Sequence, residues 1–196
     1  MTDFTRREML GFLGVALMSG AFGCSGDQVE NAARATRRAQ TEPFVRKVFS
    51  DGEWETVRTL ADIVIPRDER SGSATDAAVP EFMDFILDDS PSSGESVRKG
   101  LGWLEAECRR RFSAGFTTCT PEQRTAVIDD IAWPRRAKRE HEEGVEFFNQ
   151  FRNLTATGFW SSRMGVEDLQ YIGNTFNPNW NGCPPAAMEK LGVRYG

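Results

Sequence analysis

The stretch EHEEGVEFFNQFRNLTATGFW, residues 140–160, carries a clear fold signal. Its apolar side chains recur at spacings of three and four residues, as they do along one face of an α-helix. That face comprises Phe147, Phe148, Phe151, Leu154 and Phe159. A helix with so large an aromatic face must bury it against other elements. The stretch therefore predicts a long helix, from about Glu140 to Trp160, inside a larger helical fold.

Two helices are predicted before residue 91. Ser50 or Asp51 can cap the first, and Pro66 ends it. Pro80 lies in the first turn of the second, after a charged, Gly/Ser-rich loop at 67–78. Their apolar faces comprise Trp54, Val57, Leu60, Ala61 and Val64 in the first helix and Phe82, Phe85, Ile86 and Leu87 in the second.

Two more helices are predicted between residues 91 and 133. The sequence PSSGE at 91–95 predicts a break in the chain. A longer helix should follow it, and we expect Gly115 to close that helix. The sequence Thr120-Pro121-Glu122-Gln123 has the pattern of a capping box and predicts a helix that continues to Trp133. The apolar faces comprise Val97, Leu101, Leu104 and Cys108 in one helix and Val127, Ile128 and Ile131 in the other.

The chain changes character after Ser161. Residues 173–186, GNTFNPNWNGCPPA, are dense in Gly, Asn and Pro and predict an extended segment, with one short helix near Pro185–Leu191. The sequence contains no alternating strand pattern and no internal repeat. The predicted fold class is therefore all-α, a small irregular helical bundle with a long loop-rich C-terminal segment.

The N-terminal stretch TRREMLGFLGVALMSGAFGCSG, residues 5–26, has the pattern of a secretory signal. Arg6 and Arg7 form a twin-arginine pair. The apolar run from Met9 to Met18 is shorter than the about 20 residues that span a bilayer. The sequence Ala21-Phe22-Gly23-Cys24 resembles a lipoprotein cleavage box, in which Cys24 would become the lipidated N-terminus.

These features divide the chain into three parts. Residues 1–23 are the predicted signal, residues 24–43 a polar, flexible tether, and residues 44–196 a helical domain. A flexible tether of this length spans roughly 25 Å. We expect a periplasmic protein that is exported by the twin-arginine route and anchored to a membrane through the lipid on Cys24.

Motifs for catalysis or cofactor binding are missing from the sequence. It contains no HExxH, CxxC, CxxCH or Walker pattern, so we expect no catalytic, cofactor-binding or metal-ligating residue in this chain. His141, the one histidine, lies in the charged stretch REHEEG, which indicates an exposed helix face.

Charge argues against a nucleic-acid partner, because the formal net charge is −5. The sequence Pro134-Arg-Arg-Ala-Lys-Arg139 is basic, but Glu140, Glu142 and Glu143 follow it directly. This alternation favours a solvated helix face.

Three stretches together resemble a known family. They are Leu60-Ala-Asp-Ile-Val-Ile-Pro66, Val79-Pro-Glu-Phe-Met-Asp-Phe85, and Tyr171-Ile-Gly-Asn174 followed by Trp180 and Gly182-Cys-Pro184. In this order they resemble the small (gamma) subunit of gluconate 2-dehydrogenase, of the subunit 3 type. The resemblance implies a non-catalytic subunit that holds no cofactor itself.

The same resemblance implies the partners. It implies a large flavoprotein subunit of the glucose–methanol–choline type that carries FAD, and it leaves room for a c-type cytochrome subunit. A partner that receives its flavin in the cytoplasm must be exported folded, so the twin-arginine signal of this chain would serve both subunits. The substrate of the complex is not encoded here, because that specificity would lie in the large subunit.

Candidate contact residues follow from the aromatic and loop-rich C-terminal part. They are Trp160, Tyr171, Gly173, Asn174, Trp180 and Cys183. If Cys24 carries lipid, three cysteines remain in an oxidising compartment, so either one thiol is free or one disulfide reaches another chain. Cys108 and Cys119 are the candidate intrachain pair, and Cys183 is the candidate link to a partner.

Two alternatives remain open from the sequence. One is a free-standing periplasmic lipoprotein that binds another envelope protein. The other is an enzyme in its own right, a hydrolase built on acidic residues such as the pairs Asp88-Asp89 and Asp129-Asp130.

Overall fold

The computed structural model describes residues 27, 30–31, 44–171, 176, 178 and 182–194. Within these residues the protein is helical and has no strand, so the all-α prediction is confirmed. The helices are α1 (Asp51–Val64), α2 (Val79–Asp89), α3 (Pro91–Phe112), α4 (Pro121–Ala132), α5 (Glu142–Ser161), α6 (Arg163–Asp168) and α7 (Pro185–Leu191). Two 3₁₀ turns, Phe116–Thr118 and Arg139–His141, precede α4 and α5. The predicted signal, and with it Arg6, Arg7 and Cys24, lies outside the described residues.

Helix α5 lies at the centre of the bundle and packs against α1, α2, α3, α4 and α6. Phe147, Phe151 and Phe159 are buried on it, as the aromatic spacing predicted. A Cβ atom on Gly158 would lie 2.8 Å from the ring of Phe82, so α2 also approaches α5 closely. Among the described residues no helix is both long and apolar enough to cross a membrane.

Helix starts follow the capping signals in the sequence. The Ser50 side chain accepts a hydrogen bond from the Glu53 amide, and the Glu53 carboxylate accepts one from the Ser50 amide at 2.8 Å. Thr120 and Gln123 form the same reciprocal arrangement at the start of α4. The short helix Pro185–Leu191 also lies where the sequence predicts it, and Pro185 occupies its first turn.

Two predicted helix boundaries are wrong. Residues 91–95 do not break the chain but form the first turns of α3, because Pro91 is tolerated at the first helical position and Gly94 allows α3 to approach α2. A Cβ atom on Gly94 would lie 3.2 Å from the Leu87 carbonyl oxygen. Gly115 does not close α3 either: Ser113 adopts the left-handed conformation there, with φ of 54°. Gly115 instead lies beside the Glu105 carboxylate, which accepts a hydrogen bond from the Phe116 amide at 2.8 Å.

The segment that enters α1 is fixed to α2 by one buried carboxylate. Asp84, which is 1% exposed, accepts hydrogen bonds from the backbone amides of Lys47, Val48 and Phe49 at 2.8, 3.0 and 3.3 Å. These amides satisfy a charge that would be costly to bury alone. The attachment determines where the chain before residue 47 leaves the folded body.

The glycines of α3 provide a matched test of the contact between α3 and α5. We expect Gly100→Ala to lower the free energy of unfolding by about 1–3 kcal/mol, because the new methyl group would overlap the buried ring and Cβ of Phe147. Gly102→Ala is the control, since no atom of the described residues lies within 4 Å of its Cβ position and alanine favours a helix by up to about 1 kcal/mol. Urea unfolding followed by circular dichroism measures both. Equal stabilities of the two variants would contradict the close packing.

Candidate subunit interface

Two of the three family-like stretches form one tightly bonded corner. The carboxylate of Asp62, near the end of α1, accepts hydrogen bonds from the Thr75 amide and hydroxyl at 2.8 and 2.7 Å. The Ala74 amide donates to the Ile65 carbonyl at 3.0 Å, and the Val79 amide donates to the Ala74 carbonyl at the same distance. The loop between α1 and α2 is therefore held in one conformation beside α5.

Helix α6 packs against the end of α5 and against the loop between α1 and α2. Ser162 is both the C-cap of α5 and the N-cap of α6. Its hydroxyl accepts a hydrogen bond from the Gly165 amide at 3.0 Å and so stabilises the start of α6. A Cβ atom on Gly165 would overlap the Phe159 carbonyl, so only glycine permits this approach. Arg70, from the loop, pairs with the Asp168 carboxylate at 3.1 Å and donates to the Asp168 carbonyl.

An exposed apolar surface lies where α6 packs against the end of α5. We call it the C-terminal apolar face, and it consists of Trp160, Val166, Leu169 and Tyr171, which are between 36% and 65% exposed. Val166 on α6 and Leu169, the C-cap residue that follows it in helical conformation, are three positions apart and so lie on one side. The Tyr171 amide donates to the Val166 carbonyl at 3.2 Å, and the Trp160 backbone lies directly beside Gly165. These four residues therefore lie close together in the fold.

The candidate contact residues from the sequence fall into two groups. Trp160 and Tyr171 lie in the C-terminal apolar face, and Cys183 lies exposed just before α7, which has no buried residue. Gly173, Asn174 and Trp180 lie outside the described residues. Sequence reasoning missed Val166 and Leu169, because a six-residue helix and its C-cap residue are too short to give a measurable periodicity.

The two cysteines of the candidate intrachain disulfide lie together in the core. Cys108 on α3 and Cys119 before α4 are both buried. Burial and then the neighbouring Cys119 sulfur together raise the pKa of the Cys108 thiol to about 12. The structure contains them as free thiols, so the disulfide itself stays a prediction.

An ionic cluster around the buried carboxylate of Glu107 joins α3 to α4. The Glu107 carboxylate, on α3, accepts hydrogen bonds from Arg110 at 2.7 and 2.8 Å and from Arg111 at 2.5 Å. Arg111 also binds the Asp130 carboxylate of α4 at 2.6 Å. The hydrogen bonds from Arg110 and then Arg111 outweigh burial and lower the pKa of Glu107 to about 2.

His141 belongs to this cluster, so the predicted exposed position is wrong. It is only 4% exposed, and its Nε2 atom lies 3.3 Å from Arg111 Nη2 and 3.8 Å from Glu107 Oε1. The 3₁₀ turn before α5 brings the ring inward, where it meets the edge of Trp103 with the ring centroids 6.2 Å apart. The charged neighbours of His141 in sequence remain at the surface, with Glu140 and Glu142 both exposed. The histidine therefore joins the first turn of α5 to α3.

The protein is an all-α domain whose C-terminal apolar face is exposed on closely packed helices. Such a face indicates a protein that binds another protein. A family model described as gluconate 2-dehydrogenase subunit 3 matches residues 51–180. The chain therefore belongs to the gluconate 2-dehydrogenase subunit 3 family, as the three sequence stretches predicted. Comparison with curated proteins and with solved structures gave no match.

Family membership implies an accessory subunit of a dehydrogenase complex, associated with a dehydrogenase catalytic subunit. It also suggests that the complex is periplasmic or membrane-associated. The matched segment contains α1 to α6 and therefore the corner, the ionic cluster and the C-terminal apolar face.

The ionic cluster predicts a specific acid sensitivity. Because the pKa of Glu107 is lower in the folded chain than the ordinary 4.5, its ionised form stabilises the fold above about pH 4.5. That contribution, on the order of 3 kcal/mol, is lost as the pH falls towards 2. The difference in unfolding free energy between the parent and Glu107→Gln should therefore be largest above pH 5 and shrink as the pH falls.

Glu95→Gln is the matched control, because Glu95 lies on the same helix but is exposed. Urea unfolding at a series of pH values measures all three chains, and the control should differ little from the parent throughout. A difference for Glu107→Gln that stays constant with pH would contradict the role of the ionised carboxylate.

Proposed function

We propose that this protein is the non-catalytic small subunit of a periplasmic, FAD-dependent sugar, alcohol or gluconate dehydrogenase of the glucose–methanol–choline type. It serves as export escort, stabiliser and membrane tether of the catalytic subunit. The observation that carries this proposal is the C-terminal apolar face in a chain of the subunit 3 family. The FAD belongs to the catalytic subunit, and a c-type cytochrome can complete the complex.

The C-terminal apolar face has the composition of an interface anchor. Trp160 and Tyr171 are large side chains with few rotatable bonds, so ordering them at an interface costs little conformational entropy. The surrounding side chains are charged, including the exposed Arg163–Glu167 pair at 2.7 Å. An apolar centre with a polar rim is the usual anatomy of a specific protein interface. Burying this face explains how the small subunit stabilises its partner.

The escort and tether roles rest on the sequence before residue 44. Arg6 and Arg7 supply a signal for export in the folded state, which a flavoprotein loaded in the cytoplasm requires. Lipidation of Cys24 would then hold the complex at a membrane. The attachment of residues 47–49 to Asp84 supports this arrangement, because it gives the tether a fixed point of exit from the body.

Co-purification tests the interface. The chain with a C-terminal tag should bring down a larger protein from detergent-solubilised membranes, with a flavin absorbance close to one flavin per tagged chain. Leu169→Glu should lower the recovered flavin at least tenfold, because it places a charge inside the buried face. Val45→Glu is the matched control, since Val45 is a comparably exposed apolar residue outside the face and should retain the flavin.

A well-folded, colourless chain recovered alone would contradict the proposal and favour a free-standing lipoprotein. Non-reducing electrophoresis of the same material examines the Cys183 link. A large subunit that shifts in mobility on reduction supports that link, and an unshifted one opposes it.

Fractionation tests the escort role. Replacement of both Arg6 and Arg7 by Lys should leave the catalytic subunit in the cytoplasm along with this chain, because the partner would depend on this signal. Arg37→Lys with Arg38→Lys, a second arginine pair outside the signal, is the control and should leave export unchanged. Normal export of the catalytic subunit with the altered signal would exclude an escort role. Immunoblots of periplasmic and cytoplasmic fractions supply the measurement.

A further inference from the structure

A second exposed surface lies between α4 and α5. We call it the basic–aromatic loop, and it comprises residues 133–139, with the sequence WPRRAKR. Its four cations, Arg135, Arg136, Lys138 and Arg139, are exposed within five positions of a chain whose net charge is −5. Trp133 at its start is 59% exposed. The sequence suggested a solvated helix face here, but the structure shows a turn followed by a 3₁₀ turn.

The basic–aromatic loop is held in a defined shape. The amides of Arg136 and Ala137 donate to the Trp133 carbonyl at 2.8 and 3.0 Å, and the His141 amide donates to the Lys138 carbonyl at 3.0 Å. Since the His141 ring is buried against Trp103, the far end of the loop is attached to the core. The Arg136 guanidinium lies 5.9 Å from the centre of the Trp133 ring, so these two side chains lie on the same side of the loop.

Acidic neighbours neutralise this loop only in part. Glu143 pairs with Lys99 of α3 at 3.0 Å, and Glu140 approaches Lys138 at 3.7 Å. Glu142 and Glu146 share a groove of about 540 Å³ with Lys138 and Arg139. Arg135 and Arg139 form no ion pair with any residue in the part of the chain that the structure describes. Two guanidinium groups therefore stay available for an external anion.

We propose that the basic–aromatic loop docks on the surface of an anionic phospholipid bilayer. The guanidinium and ammonium groups bind the lipid phosphates, and the Trp133 ring enters the region between headgroups and acyl chains, where tryptophan is enriched. Charge complementarity selects this occupant, because the cations cluster on one loop of an otherwise acidic chain. The inference extends the proposed membrane attachment: a lipid would hold the chain near the bilayer, and the loop would orient it.

The test uses the full chain with Cys24→Ser, which cannot carry the lipid, and large vesicles that are sedimented by centrifugation. One set contains phosphatidylcholine alone and the other a mixture with phosphatidylglycerol. The ratio of binding to the two sets is measured, so any contribution from the apolar N-terminal segment is common to every variant. Arg135→Gln with Arg139→Gln should lower this ratio about 25-fold, at roughly fivefold for each cation removed.

Arg152→Gln with Lys190→Gln is the control, because it removes the same charge from exposed positions on α5 and α7 and should change the ratio little. Anionic vesicles should shift the tryptophan fluorescence emission to shorter wavelength, and Trp133→Phe should reduce this shift. Equal binding to both vesicle sets, or equal ratios for the loop variant and the control, would overturn the proposal.

Binding to the catalytic subunit distinguishes a protein partner from a membrane. If the loop variant loses co-purification with the flavoprotein while its vesicle ratio is unchanged, the loop belongs to the subunit interface and the proposal is wrong. The vesicle experiment contains neither lipidated cysteine nor partner, so its failure would leave the proposed function untouched. Failure of the co-purification would conversely leave the vesicle result standing.

Discussion

The reciprocal contact between α3 and α5 determines the geometry of this protein. Gly100 of α3 accommodates the ring of Phe147 from α5, and Gly144 of α5 accommodates the ring of Trp103 from α3. Each helix thus places an aromatic ring over a glycine of the other, which fixes both their separation and their register. Because His141 precedes Gly144 by one turn, this register also places the imidazole beside Trp103 and within reach of Arg111.

The same principle extends along α5 to the candidate interface. Gly158 receives Phe82 from α2, and Gly165 lets α6 approach the last turn of α5. Phe82, and Asp62 in the loop contact that supports α6, come from two of the three family-like stretches. Their main effect is to hold Trp160 and α6 in place. An interface presented by a rigid support loses less conformational entropy on binding than one presented by a mobile loop.

The sequence predicted the helical elements well because caps, prolines and apolar spacing are local signals. It failed where a residue serves a distant contact. Gly94 and Gly115 are glycines of the kind that usually ends a helix. Gly94 instead allows α2 to pack closely against α3, and Gly115 leaves room for the Glu105 carboxylate. His141 lies in a charged stretch, but Trp103 and Arg111 decide its orientation. The Arg70–Asp168 pair, which helps to mount the candidate interface, joins residues 98 positions apart and has no local signature.

Asp84 gives the fold a mechanical property. Its carboxylate binds three successive amides, so a pull on the chain before residue 47 is transmitted to α2 as well as to α1, which Phe44 and Arg46 contact. Phe44 lies upstream of this attachment and stacks on Trp54 of α1 with the ring centroids 5.4 Å apart, so this contact would separate first. A pull from the N-terminal side therefore acts first on a short peripheral segment, before it reaches the packing around α5.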